Sequence, residues 1–142
     1  MLKLDPNNFG ALLRRKLDYQ YPNQRAEVFV ADASDPSKPP ADADFKPAGV
    51  WYLAGSNTCV FSRPQKELDP PLHIVQTSNR RFRDDEFLLS RELTAGRSAI
   101  AVRVKFTPVE RELFPGHAFP ERPAWSEIRY DAYCFVIPKF TP

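Results

Sequence analysis

Hydrophobic and polar positions alternate most regularly between Ile100 and Phe106, where Ile100, Val102, Val104 and Phe106 fall on one side and Ala101, Arg103 and Lys105 on the other. Period-two alternation is the pattern of a strand with one face on a core and one in water. The same pattern recurs at Ala11 to Tyr19, where Ala11, Leu13, Leu17 and Tyr19 alternate with Leu12, Arg14, Lys16 and Asp18, and Arg15 takes an apolar-face position. Arg25 to Ala31 places Ala26, Val28 and Val30 together, and Ser126 to Ile137 sorts Ile128, Tyr130, Ala132, Cys134 and Val136 against Glu127, Arg129, Asp131, Tyr133 and Phe135. His73 to Thr77 reads as a short strand.

Turn chemistry joins these runs. Tyr21-Pro22-Asn23-Gln24 predicts that the strands on either side of it pair with each other. Val50 to Ala54, Gly55-Ser56-Asn57 and Thr58 to Ser62 read as a hairpin or a sharply bent strand. Leu93 to Gly96 forms a tight turn into the Ile100 strand. Asp32 to Pro47, with Pro36, Pro39 and Pro40, reads as a stiff exposed insertion, Pro64 to Pro71 as a second loop, and Pro108 to Pro123 as a long surface loop whose Phe114 and Phe119 fold back on the body. The expectation is an all-β sandwich, a jelly roll of about seven or eight strands in a single domain spanning residues 1–142.

Composition agrees with this class. The 142 residues include fifteen prolines, which oppose long helices, and eleven phenylalanines, five tyrosines and two tryptophans, which supply a core. A formal charge of +2 gives no basic field for nucleic acid, and no apolar run is long enough to cross a bilayer. The start lacks a secretory signal, and strand-like sequence follows Met1 almost at once. That suggests a module of a larger protein, whose compartment, secreted or periplasmic, the chain leaves open. Cys59 and Cys134 read as core thiols or as a bridge across the sandwich. With His73 and His117 the only histidines, no zinc spacing and no Ser-His-Asp arrangement arises, and no cofactor is expected.

Three groups of residues carry candidate chemistry. Asp84, Asp85 and Glu86 follow Arg80, Arg81 and Arg83. In a strand Asp84 and Glu86 share a face while Asp85 faces away, so the run reads as a salt-bridged edge or a partner for Arg15. The alternatives are a polar ligand contact or a small glycoside hydrolase using Asp84 and Glu86. Trp51 and Tyr52 lie beside Asn57, and Trp125 lies beside Ser126 and Glu127. Sugar rings stack their C–H faces on flat aromatic groups and need paired donors and acceptors, although a tryptophan in a sandwich is also an ordinary core residue. The candidate ligand-binding set is Trp51, Tyr52, Asn57, Arg81, Asp84 and Trp125, with no catalytic residue and no metal ligand. Apolar side chains such as Phe114, Phe119, Phe135 and Phe140 leave room for a purely structural module that assembles subunits or buttresses a neighbour.

Ala26 to Val30, then Ala48 to Tyr52, then Phe87 to Val104 with its Leu-Thr-Ala-Gly-Arg-Ser turn resemble the galactose-binding-like jelly roll that accompanies many glycoside hydrolases. More narrowly, Leu13 to Val28 and Asn79 to Phe87 are similar to accessory β-sandwich regions of bacterial carbohydrate-active proteins, with glycoside hydrolase family 172 the nearest group. The resemblance implies a noncatalytic module that binds carbohydrate or packs against the catalytic domain of a parent enzyme, or self-associates. It transfers no catalytic carboxylate pair.

Overall fold

A computed structural model of the chain describes residues 1–19, 21, 23–55, 58–63, 72–77, 82–108 and 124–138, with 58–63 and 72–77 as backbone only. Among the described residues the strands are β1 (Leu2–Lys3), β2 (Ala11–Asp18), β3 (Gln24–Asp32), β4 (Lys46–Leu53), β5 (Thr58–Arg63), β6 (Leu72–Thr77), β7 (Phe82–Leu89), β8 (Ala99–Phe106) and β9 (Arg129–Cys134), with a short helix, α1 (Arg91–Thr94), and a 3-10 turn at Asp42–Asp44. Seven of them make two antiparallel sheets, ordered β1-β8-β3-β4 and β7-β2-β9. Leu13 and Leu89 from the smaller sheet meet Val28, Val30, Trp51 and Ile100 from the larger one, and the result is a β-sandwich. β5 and β6 form a separate antiparallel pair.

Period two decides which side chains enter this core. Ala11, Leu13, Arg15 and Leu17 are all fully buried on β2, as are Ala26, Val28 and Val30 on β3. On β9, Tyr130, Ala132 and Cys134 pack against the core, while Ile128 and Val136 beyond its ends are about half exposed. Phe106, at the end of β8, is 41% exposed.

Three expected connections differ. β2 and β3 do not pair with each other; they belong to different sheets. Both edges of β2 are occupied, by β7 and β9, so the chain must cross the sandwich between Asp18 and Gln24. Gln24 holds that crossing, because its buried amide donates to the carbonyls of Asp18 (3.1 Å) and Tyr21 (2.9 Å). Secondly, β4 pairs with β3 and β5 with β6, so Val50 to Ser62 is not a hairpin. Thirdly, Lys46 and Pro47, expected in the insertion, begin β4. β4 is an edge strand, where a residue without an N–H is tolerated, and the register shift between Val28 and Phe29 lies opposite this stretch. The insertion therefore closes as a long β3–β4 loop. The 64–71 loop, the body of the 108–123 loop and the aromatic residues Phe114, Phe119 and Phe140 lie outside the described residues.

At the opposite end the β1–β2 loop is tied to α1 by one buried amide. Asn8 donates to the carbonyls of Asp5 (2.6 Å) and Thr94 (3.1 Å), and its oxygen accepts from Gly10 N–H (3.0 Å) and the Thr94 hydroxyl (2.7 Å). Gly10 then enters β2 at φ 132°, and a Cβ there would sit 3.1 Å from the Leu89 carbonyl oxygen. Gly10→Ala is expected to destabilise the fold by about 2 kcal/mol, since both the dihedral and the contact disfavour a side chain. Equilibrium urea unfolding measures this, and an unchanged midpoint would contradict the strain.

Candidate functional site

The carboxylate run is resolved by the pairing of β7 with β2, which sets Glu86 opposite Arg14, Asp85 opposite Arg15 and Asp84 opposite Lys16. Alternation sends the outer pairs to solvent and the middle pair inward. Arg14 Nη2 lies 2.6 Å from Glu86 Oε1 and Lys16 Nζ 3.5 Å from Asp84 Oδ1, both on the outer sheet face. Asp84 and Glu86 therefore stand partly exposed on the outer sheet face with a cation each, and among the described residues no second carboxyl group faces either across a cleft as a glycosidase requires.

The inward pair organises a buried cluster. The Arg15 side chain is fully buried, with Cζ 3.5 Å from the Trp125 ring centre and 5.0 Å from that of Trp51. Its Nη1 donates to Ser126 O (3.2 Å) and Gln24 Oε1 (3.3 Å), and Nη2 faces Asp85 Oδ2 at 3.6 Å. Stacking between indoles and this partial pairing offset part of the hydration the cation has lost, while Nε and Nη2 make no hydrogen bond among the described residues. Burial pulls the guanidinium below its ordinary value, while Tyr130, Asp85 and Glu127 oppose that shift. Trp51 is 2% exposed: it donates Nε1–H to Asp85 Oδ2 at 2.6 Å, stacks on Phe87 at 5.4 Å and meets Trp125 edge-on at 5.9 Å. Its ring packs in the core, the ordinary place of a tryptophan in a sandwich.

Trp125 is half-buried, one face under Arg15, and its Nε1–H is shared between Glu127 Oε2 (3.0 Å) and Tyr130 Oη (3.3 Å). Tyr130 donates to the same Glu127 oxygen at 2.5 Å. Burial first, then this carboxylate, raises the Tyr130 phenol well above its ordinary value. A phenol held protonated in the fold stabilises it fully below about pH 10, where the unfolded chain begins to ionise, and that contribution fades as pH rises further. Wild-type stability minus that of Tyr130→Phe should therefore decline from pH 9 to 11; a difference independent of pH would refute the assignment.

The structure thus joins Trp51 and Trp125 but separates them from Tyr52 and Asp84. Tyr52 donates from Oη to Asn23 Oδ1 (2.7 Å), and Asp84 points outward to Lys16. Asn57 and Arg81 lie outside the described residues. Arg15, Asp85, Gln24 and Tyr130 complete the cluster, and the one signal for them in the sequence is a charged residue in an apolar-phase position. Cys134 is a free thiol that accepts from Asp5 N–H at 3.4 Å; the side chain of Cys59 lies outside the description.

A second arrangement, unforeseen from sequence, is a cleft of about 490 Å³ under the β3–β4 loop, lined by polar residues including Asp32, Asp35, Lys38, Asp44, Lys46 and Arg97. The loop is held by its own turns: Asp32 Oδ1 accepts from Ser34 N–H (2.9 Å), Asp35 Oδ1 from Ser37 N–H (2.9 Å) and hydroxyl (2.6 Å), and Asp44 Oδ2 from Ala41 N–H (2.8 Å). Hydrogen bonds from Ser34 and Ser37 hold the Asp32 and Asp35 carboxyls below their ordinary values. Ser34 Oγ accepts from Ser98 N–H (3.0 Å), and Arg97 Nε stands 3.7 Å from Asp32 Oδ2. Cations and carboxylates thus share one preformed hollow.

Comparison with protein-family models, with curated proteins and with solved structures finds no match to this chain.

Proposed function

We propose that this chain is a noncatalytic accessory β-sandwich of a carbohydrate-active protein, and that it contacts glycan in the cleft under the β3–β4 loop. The observation that carries the reading is the mixture of donors and acceptors there, with Lys38, Lys46 and Arg97 beside Asp35 and Asp44 in a hollow of about 490 Å³. Sugar hydroxyls each donate and accept, so a polar lining of both kinds suits them, and a loop fixed by its own turns costs little to order. The galactose-binding-like and family 172 resemblances support the same setting. Titration of ¹⁵N-labelled protein with plant and bacterial oligosaccharides should shift the amides of Asp35, Lys38, Asp44, Lys46 and Arg97 together. A folded sample whose amides stay put at millimolar glycan would end the proposal.

A second reading, a module that packs against a protein neighbour, is favoured by the outer face of the smaller sheet. Leu88, Leu12 and Tyr133 lie side by side across β7, β2 and β9, with Phe135 beyond, and Leu88 is 63% exposed. Here Leu88→Lys would abolish self-association seen by sedimentation velocity without changing the unfolding midpoint; a wild-type chain monomeric at all concentrations removes the self-assembly form of this reading.

A further inference from the structure

The edge of β8 that meets β1 is only partly occupied. Leu2 and Lys3 pair with Ile100 and Ala99, and among the described residues no strand continues along Val102 to Phe106 on that side. The direction of the backbone groups follows from the neighbouring bonds. Ala33 N–H donates to Ala99 O (3.1 Å) and Thr107 N–H to Arg25 O (3.0 Å), so Ala99, Ala101, Arg103, Lys105 and Thr107 turn toward β3. By alternation Val102, Val104 and Phe106 turn their N–H and C=O groups to the other edge. These groups form a row that a further strand could pair with.

Among the described residues the interior of the sandwich is also open along this edge. A slot of about 110 Å³ lies between the sheets there, lined by Met1, Leu2, Leu13, Val102, Val104 and Tyr130. An engineered apolar cavity of about 150 Å³ holds benzene, so this one has room for an aliphatic side chain. An edge that is merely shielded by charge has no need of such a gap beside it.

Charge selects the occupant. Outward from this edge stand Lys3, Arg103 and Lys105, and neither β1 nor β8 carries a carboxylate. Arg103 is paired with Asp42 at 2.6 Å, whereas Lys105 is largely exposed with Glu27 3.9 Å away. Arg103 and Lys105 occupy the positions where side chains across an antiparallel pair approach most closely. A second copy pairing through the same edge would set these cations against their own counterparts, which disfavours it. We propose that the free edge of β8 accepts an extended strand of another protein, with aliphatic residues directed into the slot and acidic residues directed outward. This surface is separate from the loop cleft and does not rest on glycan binding there. Strand addition of this kind draws affinity from main-chain bonds and specificity from alternate side chains.

The probe is a short peptide alternating valine with glutamate, compared with one alternating valine with lysine, added to the labelled full chain. The acidic peptide should slow hydrogen exchange at Val102, Val104 and Phe106 and bind about tenfold more tightly than the basic one. Lys105→Glu should narrow or reverse that preference. Val104→Pro removes one donor from the free edge without touching the β3 ladder and should abolish binding; because proline can unsettle a strand, the Lys105→Glu comparison stands independently of it. Equal binding of the two peptides overturns the inference. So does strong protection of the three amides before any peptide is added, since the chain itself would then already cover the edge.

Discussion

Asp85→Ala is expected to destabilise the sandwich by about 3 kcal/mol, whereas Arg15→Met, which removes the opposite charge, should cost no more than about 1 kcal/mol. The asymmetry follows from what each change leaves behind. Without Asp85, the guanidinium of Arg15 stays buried between two indoles with no carboxylate near Nη2, and Trp51 Nε1–H loses its 2.6 Å acceptor. The lower end of the range for broken buried pairs is appropriate because the Asp85 side chain is 26% exposed and water can reach the vacated space. Methionine at position 15 keeps an unbranched apolar stem between Trp51 and Trp125, and Asp85 retains the indole donor. Denaturant unfolding of both single variants and the double gives the cycle, with the double variant costing less than the sum of the two and exceeding Arg15→Met by the loss of the Trp51 acceptor. Equal, additive costs would mean that the two side chains do not act as a pair.

Trp51→Ala should cost about 3–5 kcal/mol, the range for deleting a large aromatic side chain from a core. Trp51 is 2% exposed and reaches from β4 of the larger sheet to the smaller one: Phe87 on β7, Tyr130 on β9 and Trp125 beyond the sheet. Its loss opens a cavity that Arg15 cannot fill with its charge intact. Trp51→Phe should retain most of the stability and leave glycan-induced amide shifts unchanged. A cost below about 1 kcal/mol for the alanine variant would show that the indole is not an interior side chain.

The faces of the strands were legible because pleating maps sequence parity directly onto inside and outside. Ala11, Leu13 and Leu17, and likewise Ala26, Val28 and Val30, are buried as their parity requires, and Arg15 in that series was recognisable as a charge needing a partner. Parity says nothing about neighbours. That β2 lies between β7 and β9, and β3 between β8 and β4, depends on pairings between residues far apart in the chain. Tyr21 to Gln24 carries hairpin-like residues, yet its glutamine is spent bracing a crossover. β4 was ambiguous even in its faces, since Val50, Trp51 and Tyr52 are all large and apolar or aromatic; only the middle one is fully buried. The loop cleft was invisible for another reason. Its carboxylates and cations come from Asp32 to Lys46 together with Arg97, and that meeting exists only once β3 and β8 are paired.

The position of β2 has a temporal consequence. Ala11 stands beside Leu89 on one side and Cys134 on the other, so the middle strand of the smaller sheet waits for partners made much later. During synthesis on a ribosome, the larger sheet can assemble once β8 has emerged, but the Arg15 side of the sandwich stays uncovered until β9 follows. Closure of this sandwich is a late, long-range event, and residues 129–134 must be made before its most costly buried charge is sheltered.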